Sequence, residues 1–270
     1  GGLAMYGLKY NARCLRALEA SSAGGKFITG TTALNEENEV HVLRLSEDGR
    51  EIECEQVFAH RHEVWDISPS PVREDEFLTV YQTGDAYEAS AWRARAEGEL
   101  VETFGTKGRM PDVRRAIWGP ESAPESIMLA DRGTLSVWRL SGGGRSEDKS
   151  KEVGCIDSVA WSWREPSMAC ASSSESICFL DLRTMAPSCT ISHAHALAVR
   201  DVDFSRHDSN LVASGGDDCF SCLWDLRKAQ EPLRRIQAHS HWTWQARFNP
   251  FHDELLLTSS SDSDVCLWTV

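Results

Sequence analysis

No apolar run in this chain approaches the roughly 18 residues that a membrane-spanning helix requires, and helical periodicity is weak along its whole length. The opening stretch, GGLAMYGLKYNARC, lacks an apolar core followed by a small-residue cleavage site, so no secretory signal is read there. The first residue is not Met, and an upstream piece is therefore expected. Basic residues are in deficit: 28 Lys and Arg against 41 Asp and Glu give a net charge of −13. A surface of that sign repels phosphate, which removes the electrostatic footprint of a nucleic-acid binder and disfavours docking on anionic lipid. A disulfide framework is lacking too. The nine cysteines are odd in number and scattered. Several (Cys170, Cys178, Cys222, Cys266) occupy strand-like alternation, where they act as small hydrophobes in a reducing compartment, the cytosol.

What the chain has in abundance is repetition. VHVLRL (40–45), ASAWRA (89–94), LSVWRL (135–140), ICFLDLR (177–183), CLWDLR (222–227) and VCLWTV (265–270) share one apolar-polar alternation. Trp92, Trp138, Leu180, Trp224 and Trp268 form a column separated by 46, 42, 44 and 44 residues. That spacing matches the roughly 40–45 residues of a WD-repeat blade. Period-2 alternation bounded by Gly, Asp and Ser predicts strands. The expected fold is all-β, a single WD-repeat β-propeller over 1–270, with blades at 6–58, 64–105, 113–152, 156–192, 199–238 and 242–270. The last blade stops after its third strand and is expected to be truncated. Two segments fall outside the repeat pattern: 95–112, with room for one edge strand, and the polar, Gly-rich 141–152, expected to be a mobile connection.

Aligned on the Trp column, His195, Ser214, Asp218 and Trp224 in the fifth unit match His239, Thr258, Asp262 and Trp268 in the sixth. His60 opens the second unit in the same way. His195, Ser214 and Asp218 have the residue types of a hydrolytic triad, which is defined by geometry and not by order. A catalytic set is needed once, whereas these columns recur, so they are expected to be buried structural tetrads linking the strands of each blade. Cys219 and Cys222 form a C-x-x-C without a second pair at zinc-ribbon spacing. Gly142 to Gly144 precede neither a helix nor a Lys-Ser/Thr pair, which leaves no phosphate loop. No catalytic motif, metal site or cofactor site is therefore expected. Trp65, Trp118, Trp161 and Trp244 fall on first strands and are expected to be packed, while Trp242 lies at the turn into the sixth unit.

YGLKYNARC, FITGT (27–31), ENEVHVLRL (37–45), HEVWDISPSP (62–71), WDLR (224–227) and HSHWTW (239–244) occur in an order that resembles one family. It is the WD-repeat proteins that interact with the endosome-associated recycling and Golgi-associated retrograde (EARP and GARP) tethering complexes, and the likeness is nearest to plant-type members. The resemblance implies a non-enzymatic scaffold of seven blades, six of them present here. Its partners would be protein subunits of a vesicle-tethering complex, with neither nucleic acid nor membrane insertion involved. It would work in the cytoplasm, at endosomes and the trans-Golgi network, in recycling and retrograde traffic. Partner contact is expected on loops carrying Arg61, His62, His241 and Trp242. A second reading takes LDLR (180–183) and WDLR as W-D-x-R signatures of a cullin-RING ligase substrate receptor, with Arg183 and Arg227 on the adaptor. A third is a general peptide-binding propeller, since a fold hosts many functions.

Overall fold

The computed structural model describes residues 4–21, 24–34, 36–84, 86–95, 98–110, 112–140, 146–237 and 239–270. Among them lie 23 strands and no α-helix. The first sheet is a meander of β1 (Asn11–Ala17), β2 (Lys26–Thr32), β3 (Asn38–Leu45) and β4 (Ile52–His60). The second is β5 (Val64–Pro69), β6 (Glu76–Thr83), β7 (Ala86–Ala94) and β8 (Leu100–Gly105). The third comprises β9 (Arg115–Trp118), β10 (Ser126–Ala130), β11 (Thr134–Arg139) and β12 (Ser146–Glu152). The fourth comprises β13 (Val159–Trp161), β14 (Met168–Ser173), β15 (Ser176–Asp181) and β16 (Ala186–Ile191). The fifth is β17 (Val199–Phe204), β18 (Leu211–Gly216), β19 (Phe220–Asp225) and β20 (Arg234–Gln237). The last is β21 (Thr243–Phe248), β22 (Leu255–Ser260) and β23 (Val265–Thr269).

Contacts gather into two compact units: Gly1–Met128 with Arg139–Ser146, and Leu129–Trp138 with Glu147–Val270. In the first, Cys14, Ile28, Val40 and Phe58 of sheet one pack with Val64, Ile67 and Phe77 of sheet two. In the second, Phe179 of sheet four packs with Val199, Val202 and Phe204 of sheet five. Ala213 and Leu223 of sheet five then meet Ala246, Phe248 and Leu256 of sheet six. In these three pairs the second strand is covered by the first strand of the following sheet, which explains its small residues. A Cβ on Gly215 of β18 would stand 2.8 Å from the Thr243 side chain on β21. Gly30 of β2 faces Val64 of β5 in the same way. Glycine in a strand interior often marks such close approach.

Four first strands share an irregularity that the sequence does not announce. The register shifts between Ala12 and Cys14, between Val64 and Asp66, between Val199 and Asp201, and between Thr243 and Gln245. Each bulge leaves one residue outside the ladder: Arg13, Trp65, Arg200 and Trp244. Bulges re-aim the side chains they release.

Two expectations about local structure need correction. Residues 146–152, taken as part of a mobile connection, form the outer strand β12; residues 141–145 lie outside the described set. Its charged, polar sequence suits an edge strand, where charge blocks further pairing. Trp244 is not packed like a core residue but remains 38% exposed, because the bulge turns it out of the ladder.

Candidate functional site

In the fifth sheet, Ser214 on β18 pairs with Cys222 on β19, and Trp224 lies two residues further along. The indole Nε1–H of Trp224, which can only donate, gives its hydrogen to Ser214 Oγ at 2.9 Å. The Ser214 hydroxyl must then donate to His195 Nε2, 2.8 Å away. His195 Nδ1–H in turn donates to Asp218 Oδ1 at 2.8 Å. These partners assign the tautomer. The sixth sheet repeats the chain: Trp268 to Thr258 at 2.9 Å, Thr258 to His239 at 2.9 Å, and His239 to Asp262 at 3.1 Å. Ser214 and Thr258 are fully buried. Burial alone would raise the Asp218 carboxyl, but the His195 N–H and the amides of Ala196 and Phe220 outweigh it and hold the group at about 2. Asp262 is likewise held at about 2: desolvation acts against the shift, and the amides of Asp264 and Ser240 together with His239 overcome it.

A third network sits in the second sheet, where the sequence columns showed the histidine and Trp92 but not the hydroxyl between them. Trp92 Nε1–H donates to Thr79 Oγ1 at 2.7 Å, and Thr79 lies 3.3 Å from His60 Nε2. His60 Nδ1–H donates to the carbonyl of His62 at 2.7 Å, so a backbone oxygen replaces the aspartate. Thr79 and Trp92 are thirteen residues apart, whereas Ser214 and Trp224 are ten apart. A longer hairpin hides the match from any fixed offset. Cross-strand pairing restores it, since Thr79 faces Ser90 and Trp92 follows two residues later. Desolvation pushes His60 down to about 4.

The expected contact residues follow these histidines directly. Arg61 is exposed, while His62 is half-buried and stacks on Tyr81 with ring centroids 5.3 Å apart. His241 and Trp242 are both exposed, with centroids 5.0 Å apart. Trp242 meets Trp244 edge-on at 5.9 Å. Arg183 and Arg227 occupy matching loops elsewhere. Arg183 forks onto Asp181 (3.1 and 2.9 Å), and Arg227 onto Asp225 (2.8 and 2.9 Å). Cys219, in the turn before β19 with φ of 68°, and the buried Cys222 do not act together: the Cys219 thiol points to the Asp217 carbonyl. Among the described residues no group of three or more His, Cys, Asp or Glu is placed to hold a metal ion. No helix among them is long and apolar enough to cross a membrane.

Six consecutive antiparallel sheets, three of them carrying a Trp–Ser/Thr–His chain, are matched by the EIPR1 beta-propeller family model over residues 2–268. The chain belongs to the EIPR1 beta-propeller family. Its six sheets are propeller blades. It is 36% identical to WD repeat-containing protein DWA2 of Arabidopsis thaliana, over 97% of this chain and 77% of that protein. It is 28% identical to EARP and GARP complex-interacting protein 1 of Rattus norvegicus, over 97% and 76%. The protein of that name in Homo sapiens is also 28% identical, with the same coverage.

Proposed function

We propose that this propeller is a non-enzymatic adaptor that binds subunits of the EARP and GARP tethering complexes. It would act in the cytoplasm, at endosomes and the trans-Golgi network, in recycling and retrograde traffic. The observation that carries this reading is the likeness, along 97% of the chain, to relatives whose names state that interaction. The non-enzymatic part is supported by the recurrence of the Ser/Thr–His–Asp chain in two blades, each with a fully buried hydroxyl that no substrate could reach. Loops carrying Arg61, His62, His241 and Trp242 are the proposed contact surface. The test is affinity purification of the full-length protein from its own cells. Tethering-complex subunits among the captured partners support the adaptor reading, and their absence ends it.

The ligase-receptor reading is favoured by one feature: Arg183 and Arg227, both largely exposed, present the same Asp-paired geometry in two successive blades. Capture of a ligase adaptor that Arg227→Ala abolishes would establish it. Unchanged capture by that variant would remove Arg227 from the interface.

A further inference from the structure

Two loops converge on one turn of the second sheet. Gln82 on β6 and Tyr87 on β7 form a cross-strand pair beside the β6–β7 turn. The Gln82 N–H donates to the Glu63 carbonyl at 3.4 Å, which pins the β4–β5 connection to one strand. The Val113 N–H donates to the Tyr87 carbonyl at 2.9 Å, which pins the β8–β9 connection to the other. Thr106 anchors that second connection again, through bonds with Ala89 at 2.9 and 3.0 Å. Arg61, Lys107, Arg109 and Arg114 are thereby gathered around one hairpin end. Arg13, released by the bulge in β1, joins them. Its guanidinium lies 3.9 Å from the Trp65 centroid, Trp65 meets Tyr87 edge-on at 5.1 Å, and Arg114 covers Tyr87 at 4.4 Å.

From this placement we infer that Arg13, Arg61, Lys107, Arg109 and Arg114 form a docking site for an acidic, extended segment of a partner protein. Charge selects the occupant. Arg13, Arg61, Lys107 and Arg109 are exposed, and none of them forms an ion pair among the described residues. The carboxylates at this end, Glu63, Glu88 and Asp112, are half-buried, and Asp112 already pairs with Arg114 at 3.1 Å. Asp85, of the same turn, lies outside the described residues. Burial first, then the charges of Arg61 and Lys107, lower the pKa of His62 despite Glu88. The chain's net charge of −13 does not cancel this patch, because remote charges are screened beyond about 8 Å at physiological salt. Stacking on Trp65 already holds the Arg13 guanidinium, so little further freedom is lost when its donors take a carboxylate. The cations lie on three successive sheets and their connections, a spread that an extended chain can follow. The second sheet has a neighbouring sheet in sequence on either side, so its loops are not exposed for want of a neighbour.

The acidic segment would occupy the part of the contact surface proposed above that carries Arg61 and His62, and the site rests on that surface being used. Its test is separate. The full-length protein is titrated, by fluorescence anisotropy and calorimetry, with a labelled Gly/Ser peptide bearing several Glu residues. Parallel titrations replace every Glu by Gln or by Lys. The Glu peptide should bind saturably, at least about tenfold more tightly than either control, and more weakly as salt is raised. Binding should fall by a similar factor in Arg61→Glu/Lys107→Glu. The circular dichroism and melting temperature of that variant should match the parent, because both side chains are exposed and unpaired. Arg95→Glu, an exposed cation at the opposite end of β7, should bind as the parent does. Four results would overturn the inference: equal binding of the Gln peptide, an equal loss in Arg95→Glu, no saturable signal at millimolar peptide, or capture by phosphatidylserine vesicles in place of the peptide. Failure of tethering subunits to co-purify would overturn the adaptor proposal alone and leave the peptide result standing.

Discussion

The fourth and fifth blades share one strand plan and differ in the chemistry at its centre. In the fifth, Ser214 faces Cys222, with Trp224 two residues on; in the fourth, Ala171 faces Cys178, with Leu180 two residues on. Both Ala171 and Leu180 are fully buried, and no histidine precedes β13 to reach them. Between these two blades the polar chain is kept or replaced as a set, while the second blade keeps Trp92, Thr79 and His60 with a backbone carbonyl in the aspartate's place and the third has Trp138 donating to Ser136 instead. Each of its members exists to satisfy the next, and losing one orphans two buried groups. An all-apolar set has nothing to orphan. Blade architecture tolerates either solution; the costly mixture is one that leaves a buried member of the chain without a partner.

The largest expected effect comes from forcing that mixture on the fifth blade. Ser214→Ala leaves the Trp224 N–H and His195 Nε2 buried without partners, at a cost of about 3 kcal/mol. Urea titration of the variant beside the parent measures it, and an unchanged midpoint would show that the network is not stabilising. Labelling by a serine-directed active-site probe would instead make the three residues a triad.

Acid distinguishes the second blade's network from the fifth's. His60 titrates at about 4 when folded, against 6.5 as the reference for the unfolded chain. The unfolded state then binds the extra proton between those values. Stability from His60 is full above pH 6.5 and is lost as pH falls toward 4, by up to about 3 kcal/mol. The lowered carboxyl of Asp218 behaves differently, its contribution persisting until pH falls below 3.8 toward about 2. Half-buried Asp203, raised to about 6 by desolvation, opposes His60 because folding there favours the protonated acid. For that reason the test is a difference: His60→Gln should lose less stability than the parent between pH 6.5 and 4. Parallel curves would refute the assignment.

A smaller effect follows from the converse mixture. Ala171→Ser places one hydroxyl in the apolar fourth blade without its Trp and His partners, and should cost about 1 kcal/mol. Adding Leu180→Trp supplies the donor and should recover part of that loss in a double-mutant cycle. Least of all, Arg227→Ala should leave the melting temperature unchanged, because its fork onto Asp225 is solvent-exposed. A clear drop would assign the loop a structural role.

Much of this was legible in sequence. Trp224, Trp268 and the columns of the fifth and sixth blades follow from hairpins of equal length, where fixed spacing mirrors cross-strand pairing. Thr79 was not legible, because its longer hairpin breaks the spacing while preserving the pairing. The strand at 146–152 was masked by its own composition, since a polar edge strand reads as a loop.

The sequence by itself determined the repeat, the all-β class and two of the three His–Ser/Thr–Trp chains, because strand alternation and equal hairpins write directly into residue spacing. Only the tertiary structure decided which side chains the bulges release. Arg13 and Arg200 both stand over tryptophans, Arg13 at 3.9 Å from the Trp65 centroid and Arg200, paired to Asp217, at 5.6 and 5.7 Å from those of Trp242 and Trp244. That difference depends on pairing across strands far apart in the chain, where spacing carries no information.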